Sequence, residues 1–202
     1  MQDIDFLSAT FKHADCVYLM ETIDTVVGDI HDDNIDLLEA IRDIGWNYKR
    51  AIENSGVKQV VHLSSICAHM STGNGFLVFH HNVENILKQL PKDVSIKTVR
   101  PVGFYINMIS LISTIKNEGH IISNYGGNEK ELWVSPYDIT DVVAEEIDMP
   151  FEGRTIRYIA SDELSPNEIA ITLGQAIGKR ELQWKVITDE ELLDIWVKKW
   201  DE

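Results

Sequence analysis

Ser64 and Ser65 hold the position in this sequence that offers the most chemistry. They follow the apolar, β-branched run Val57-Lys58-Gln59-Val60-Val61-His62-Leu63, which itself follows a glycine-containing helix end at Asn54-Ser55-Gly56. That order predicts a buried parallel strand that delivers two hydroxyls at its carboxyl edge, the side of an open α/β sheet where ligands sit. A serine at such a point either faces a ligand or ends the strand and caps the next element. The helix predicted next carries Phe76, Phe79, His80, His81 and Glu84. Adjacent histidines on a helix point to two faces. Either ring can hydrogen-bond a ligand hydroxyl or pass a proton near neutral pH, or one is exposed and the other packed. Glu21 and Thr22 end an earlier strand, while Phe104, Tyr105 and Asn107 leave a later one and precede a helix, where they line a pocket or pack in the core. Asp138, after Ser135-Pro136, complements a helix dipole. His62, His69, His80 and His81 lack a ligand spacing such as i, i+4 with a carboxylate partner, so no metal site is expected.

The elements that must position these groups alternate. Ile4, Phe6, Leu7 and Phe11 have helical spacing, and Ala14 to Met20 reads as a short buried strand. From a cap at Asp32 or Asn34, Leu38, Ile41, Gly45, Tyr48 and Ile52 form one face of an amphipathic crossover helix. The Val57 strand follows, then the Ser71–Gly75 loop, then a helix marked by Phe79, Val83, Ile86, Leu87 and Leu90 and closed by Pro91. A strand from Val94 to Arg100 ends at Pro101, and a further helix runs through Ile115. Strands joined by helices imply a parallel sheet with helices on both faces. Later, Ile121-Ile122 and Leu132-Trp133-Val134 are extended pieces around the turn Asn124–Asn128. A helix starts at Ser135-Pro136, Thr155 to Ala160 and Leu182 to Ile187 are strands, and capping boxes at Ser165–Glu168 and Thr188–Glu191 open two more helices. The fold class is α/β: a Rossmann-like parallel sheet plus a small carboxyl-terminal α+β lobe, with the change of character near residue 118.

With 202 residues, 44% hydrophobic and 25% charged, the chain has ordinary globular composition and room for one sizeable core. A formal charge of -15 argues against nucleic acid or an anionic membrane as the main partner, because phosphates could not be neutralised in bulk. Cys16 and Cys67 show no C-x-x-C or zinc-like spacing and fit a reducing, cytoplasmic compartment. Met1 opens an acidic segment without a basic or apolar leader pattern, and no apolar run of about 18 residues occurs.

Four segments in order, Ala14-Asp15-Cys16-Val17-Tyr18-Leu19, Val57 to Ser65, Arg100-Pro101-x-x-Phe104-Tyr105-x-Asn107 and Ser135-Pro136-x-Asp138-Ile139, resemble the NmrA-like family of atypical short-chain dehydrogenase/reductases over nearly the whole chain. The resemblance implies a Rossmann domain that binds NAD(P), with NADP slightly preferred, and a relation to NAD(P)H-dependent oxidoreductases acting on a quinone or carbonyl compound. In such reductases a serine after this strand polarises the carbonyl, and a Tyr-x-x-x-Lys pair on the next helix supplies the proton and holds the ribose. Here Ser64 or Ser65 takes the serine's place, and the Tyr-x-x-x-Lys pair is absent. His80 or His81 falls where many relatives keep a lysine that touches the ribose. The implied assignments are Ser64 and Ser65 for catalysis; Glu21, Thr22, Ser64, His80, His81 and Pro101 for the cofactor; and Phe104, Tyr105 and Asn107 for the substrate pocket.

The glycine pattern departs from that family. A G-x-G-x-x-G turn, which lets the backbone and a helix amino terminus approach the pyrophosphate, does not occur; Gly73-Asn74-Gly75 is the nearest glycine pair and reads as a loop. In the family's order Cys16 to Met20 resembles the fourth strand, so the chain starts two βαβ units late, each of roughly 30 residues. The carboxyl end is also short against the family. Since the first and fourth strands of a doubly wound sheet are neighbours, the Cys16–Met20 strand is expected to present a bare edge that favours self-association. Three functions are compatible with this pattern: a reductase with a small-molecule substrate, a non-catalytic NAD(P) sensor with a protein partner, or a truncated remnant that no longer binds cofactor.

Overall fold

The computed structural model describes residues 3–22 and 36–200. It divides into two compact units, Met1–Val102 with Ile139–Ile159 and Gly103–Asp138 with Ala160–Glu202. Where the sequence suggests one change of character near residue 118, the chain passes between the units after residues 102, 138 and 159.

The first unit is a parallel α/β layer structure. Asp3 accepts a hydrogen bond from the Phe6 N–H and opens α1 (Ile4–Phe11), which leads to β1 (Val17–Met20). Asp36 caps α2 (Leu37–Ser55) by accepting from the Glu39 N–H at 3.0 Å, and the helix stops at Gly56, whose φ of 78° suits the residue that has no side chain to clash. The caps expected from the sequence, Asp32 and Asn34, lie outside the described residues. β2 (Gln59–Leu63), α3 (Val78–Leu87), β3 (Ser95–Pro101) and β7 (Arg154–Ile159) follow, with α5 (Pro136–Asp148) running into this unit before β7. The four strands pair in the order β1-β2-β3-β7, all parallel, as crossover helices require.

Two-residue alternation divides the side chains of this sheet between its faces. Val17, Leu19, Val60 and Ile96 share one face and join a buried core with Leu7, Phe11, Ile41, Ile44, Tyr48, Val83 and Leu87 from α1, α2 and α3. Gly45 brings α2 and α3 together: a methyl group there would stand 3.2 Å from Val83 Cγ2. On the opposite face the buried Lys97 ammonium donates to the Glu146 and Met149 carbonyls at 2.7 and 2.9 Å, which fastens the end of α5 to the sheet. A buried ammonium is tolerated because those carbonyls and the Glu146 carboxylate satisfy it.

The second unit contains β4 (Gly103–Phe104), a 3-10 segment (Tyr105–Leu111), α4 (Ile112–Asn117), β5 (Ile121–Ser123), β6 (Glu131–Val134), β8 (Asp162–Leu164), α6 (Pro166–Ala176), β9 (Trp184–Val186) and α7 (Asp189–Trp200). β6 pairs with β4 in parallel and with β8 antiparallel, and β5 pairs with β9. The two extended pieces around Asn124–Asn128 therefore belong to different sheets. β8, Asp162-Glu163-Leu164, carries no apolar alternation that would announce it. Both expected capping boxes form: Ser165 and Glu168 satisfy each other's backbone N–H at α6, and Thr188 and Glu191 do so at α7. The core joins Ile115, Ile121, Trp133, Ile169, Leu182 and Trp184.

Candidate functional site

The in-register pairing of the first unit has a chemical consequence at the carboxyl ends of its strands. Leu19, His62, Thr98 and Ile156 are paired in one row across the sheet. Two residues farther along the strands, the same face carries Ser64, Arg100 and Tyr158, and Glu21 follows β1 at the same level. Glu84 reaches this row from α3. Sequence positions far apart thus converge because alternation and register place them on one line.

Glu84 is the centre of the row. Its Oε1 accepts from Arg100 Nε at 2.9 Å and from Ser64 Oγ at 2.7 Å, and its Oε2 accepts from Arg100 Nη2 at 2.7 Å. Arg100 Nη1 donates to the Tyr158 hydroxyl at 2.7 Å. The Glu84 and Arg100 side chains are only 1% and 4% exposed, so this is a bidentate ion pair held away from water. Burial pushes the Glu84 carboxyl up, but the hydrogen bonds from Arg100 and Ser64 outweigh it and hold the group below its ordinary value. Arg100 is raised: its bonds to Glu84 outweigh its own desolvation, and the bond to Tyr158 adds to them.

A second buried pair stands beside it. His62 Nε2 lies 3.1 and 3.2 Å from the two Glu21 carboxylate oxygens, and both side chains are almost wholly buried. A carboxylate only accepts, so Nε2 carries the shared proton, and His62 Nδ1 has no partner among the described residues. His80 Nδ1 is likewise buried and unpartnered. Desolvation lowers the His80 ring to a pKa of about 4, opposed by Glu21 and Glu84 and assisted by His62, so the ring is neutral at pH 7. It offers hydrogen bonding there rather than a ready proton. Tyr48 donates to the Met20 carbonyl at 2.9 Å, and burial followed by the Glu21 charge keeps its phenol protonated.

The residues singled out from sequence divide between the units. Glu21, Ser64 and His80 belong to this cluster. Ser64 is buried with its hydroxyl engaged by Glu84, whereas Ser65 is half-buried and its hydroxyl makes no hydrogen bond among the described residues. Thr22 is half-buried immediately after Glu21, and Pro101 ends β3 opposite Ile159. His81 points elsewhere: Nδ1 donates to the Ala68 carbonyl at 3.0 Å and Nε2 accepts from Asn85 Nδ2 at 2.8 Å, which ties the segment after the serines to α3. Phe104, Tyr105 and Asn107 lie in the second unit. Tyr105 stacks on Trp133 with centroids 5.9 Å apart, and burial, then Asp162 and Asp138, raise its phenol. Asn107 is exposed and lines a groove of that unit. Asp138 accepts a hydrogen bond from Ser161 Oγ.

Sequence reasoning does not single out His62 or Tyr158 for this cluster, and it assigns Glu84 and Arg100 no role in it. Their signal is present all the same: Arg100 closes an apolar strand, and a charge in such a strand requires a buried partner. His62 and Ser64 alternate on β2, which puts both on one face.

No protein-family model matches the chain, and no curated protein sequence matches it. Among solved structures it resembles the NADPH-dependent quinone oxidoreductase of Escherichia coli, with a TM-score of 0.73 and 16% identity over 94% of this chain and 61% of that one. Citrobacter sp. triphenylmethane reductase gives a TM-score of 0.73 and 16% identity, covering 98% of this chain and 64% of that one. A Staphylococcus aureus nucleoside-diphosphate-sugar epimerase gives 0.72 and 15%, covering 96% and 64%. The chain spans a little over three fifths of the length of these proteins. At such identities the likeness shows the fold alone, a Rossmann-like parallel α/β sheet flanked by helices.

Proposed function

We propose that the carboxyl edge of the β1-β2-β3-β7 sheet is an NAD(P)(H) site, and that the chain is part of an NmrA-like, NAD(P)H-dependent reductase of a quinone or carbonyl compound. The observation that carries this reading is the convergence of Glu21, His62 and Ser64 at the carboxyl ends of parallel strands, with Glu84 and His80 of α3 beside them, where open α/β sheets bind ligands. Two groups suit a ribose: the Ser65 hydroxyl, without a hydrogen bond among the described residues, and the neutral, partly buried His80 ring. NAD(P)H, when bound, supplies the hydride; this chain's residues orient it and exclude water around it. Arg100 is taken up by Glu84, so the row offers no spare cation for a diphosphate. The slight preference for NADP accordingly rests on the resemblance and on the NADPH of the quinone oxidoreductase complex.

A thermal melt with NADPH and with NADH tests the site, because a ligand bound only by the folded state raises stability by RT ln(1 + [L]/Kd), about 2.7 kcal/mol at one hundred times Kd. The expected result is a rise in Tm with both, larger with NADPH. No rise at millimolar nucleotide contradicts the reading and supports a remnant without cofactor binding.

One observation favours a second reading, a non-catalytic sensor. Ser64 donates to Glu84, and the Tyr-x-x-x-Lys pair is missing, which leaves no evident proton donor for a carbonyl. NADPH binding without oxidation in the presence of quinone and carbonyl acceptors supports the sensor; steady turnover supports the reductase. We also place the chain in a reducing, cytoplasmic compartment, in line with its unpaired Cys16 and Cys67, and among the described residues no helix is long and apolar enough to cross a membrane. Among those residues β1 pairs only with β2, and Tyr18 and Met20 are partly exposed. Self-association through this edge is the expected partner mode, and a concentration-independent monomer in sedimentation contradicts it.

A further inference from the structure

The Gly73-Asn74-Gly75 loop contributes nothing to the strand-end cluster, yet it holds the one Asn-Gly step in the chain. It joins two 3-10 turns of the first unit, Ile66–His69 directly after Ser65 and Gly75–Leu77 at the entry to α3. Asn74 Nδ2 donates to the carbonyls of Cys67 and Met70, both at 3.2 Å. Both neighbours are acceptors, so the amide nitrogen faces them, and the buried Oδ1 has no partner among the described residues. His81 Nδ1 holds the same turn from α3 by donating to the Ala68 carbonyl at 3.0 Å. Asn74 and His81 thus pin the stretch that follows the serines.

An asparagine that precedes glycine is open to attack on its own side chain. The backbone nitrogen of the next residue bonds to Cγ, the Cγ–Nδ2 bond breaks, and ammonia leaves with the proton from that nitrogen. Water then opens the cyclic imide at either carbonyl and leaves aspartate or isoaspartate. Glycine favours the step because no Cβ shields its nitrogen. This turn needs the glycine, since Gly75 has a φ of 56°. In the folded chain the attack is closed. Asn74 has a ψ of 17°, which brings the Gly75 nitrogen over the residue's own nitrogen, whereas ring closure needs it beside Cβ. The Cys67 and Met70 carbonyls also hold the amide in place.

We propose that Asn74 is a deamidation site gated by its own turn, protected while the Ile66–Leu77 segment is closed and hydrolysed through the imide whenever that segment opens. The modification releases the segment in one direction only. A carboxylate has no hydrogen to give, so it meets the Cys67 and Met70 carbonyls as a further acceptor and repels them. The stretch between Ser65 and α3 then keeps His81 as its side-chain tie. The assignment does not depend on nucleotide binding, so it is tested without NADPH.

The intact chain is incubated at mildly alkaline pH, in native buffer and in unfolding urea, and peptide mass spectrometry with fragmentation locates each amide converted to acid. In urea Asn74 should convert before Asn54, which precedes a serine, and before every other asparagine. In native buffer the same conversion should run about tenfold slower or more, because the side-chain hydrogen bonds must break and the backbone must turn first. Asn74→Asp supplies the product's charge directly. The Ala68 and Met70 amides, which donate to the Ser65 and Cys67 carbonyls, should then exchange with solvent about tenfold faster, while the amides of α6 keep their rates. Should that variant unfold, the wild-type chain after conversion, separated by its added charge, takes its place in the exchange measurement. Equal conversion rates in native buffer and urea overturn the gate, and earlier conversion of another asparagine in urea overturns the site. Unchanged exchange at Ala68 and Met70 overturns the release.

Discussion

The two units solve the problem of buried polar groups in opposite ways. In the first, Ser64, Glu84, Arg100 and Tyr158 satisfy one another at the strand ends, with three hydrogen bonds to Glu84 and the Arg100 guanidinium divided between Glu84 and Tyr158, while His62 Nδ1 and His80 Nδ1 have no partner among the described residues. In the second, the starts of α6 and α7 and the Ser110 and Thr114 hydroxyls are satisfied locally by their own neighbours, and the buried Trp133 indole N–H has no partner among the described residues. A mutually satisfied network fixes geometry but leaves few groups to spend on a ligand. His80 matters in the first unit because it stands beside such a network with its buried Nδ1 unpartnered among the described residues.

The comparison breaks most visibly at Glu84. Glu84→Ala leaves the Arg100 guanidinium buried and unpaired and should cost about 3–5 kcal/mol in urea unfolding. Replacing both partners, Glu84→Leu with Arg100→Met, should recover most of that loss, since an apolar pair of similar volume removes both desolvation costs. If the double variant is as unstable as the single one, the network is held by something other than the ion pair. The Glu84 carboxyl also has a sign to check. Its folded value lies below the ordinary 4.5, so its contribution is complete above that value and is lost as the pH falls through the depressed one.

His80 sharpens the contrast over a different range. Its ordinary value of 6.5 falls to about 4 in the folded protein, so between these values the unfolded chain binds a proton that the folded one refuses. Stability should therefore be at its plateau above pH 6.5 and decline toward pH 4, by up to roughly 3 kcal/mol. His80→Gln should flatten this decline in pH-dependent unfolding, and an unchanged profile places the titrating group elsewhere. The smallest effect belongs to the local solution of the second unit: Ser165→Ala removes one half of the α6 capping box and should cost about 1 kcal/mol by thermal unfolding, without altering the first unit.

Most of the parallel layer was legible because its signals are local and repeated. Val60-Val61 and the β-branched Val94–Arg100 run announce buried strands, Gly56 ends α2 in the conformation that glycine tolerates, and Ser165–Glu168 is a capping box in the sequence as in the fold. The helix and strand boundaries moved by a few residues, as when the strand read from Ala14 begins at Val17. What the sequence did not disclose is pairing. β5 and β6 flank one turn yet join different sheets, and β8 has no apolar face to betray it, because each gains its place from partners far along the chain. The same holds for the site. Ser64, Arg100 and Tyr158 line up through strand register and meet Glu84 from α3, which no local pattern encodes, and the histidine pair divides its roles, with His81 bound to Ala68 and Asn85 and the buried His80 Nδ1 without a partner among the described residues.

The most direct test of a nucleotide site at the carboxyl edge of this sheet is a backbone amide titration of the ¹⁵N-labelled chain with NADPH. The expected result is saturable shifts at Glu21 and Thr22, at Ser64 and Ser65, and around His80, with little change in α6. Shifts absent at these positions, or concentrated elsewhere in the chain, would contradict the assignment.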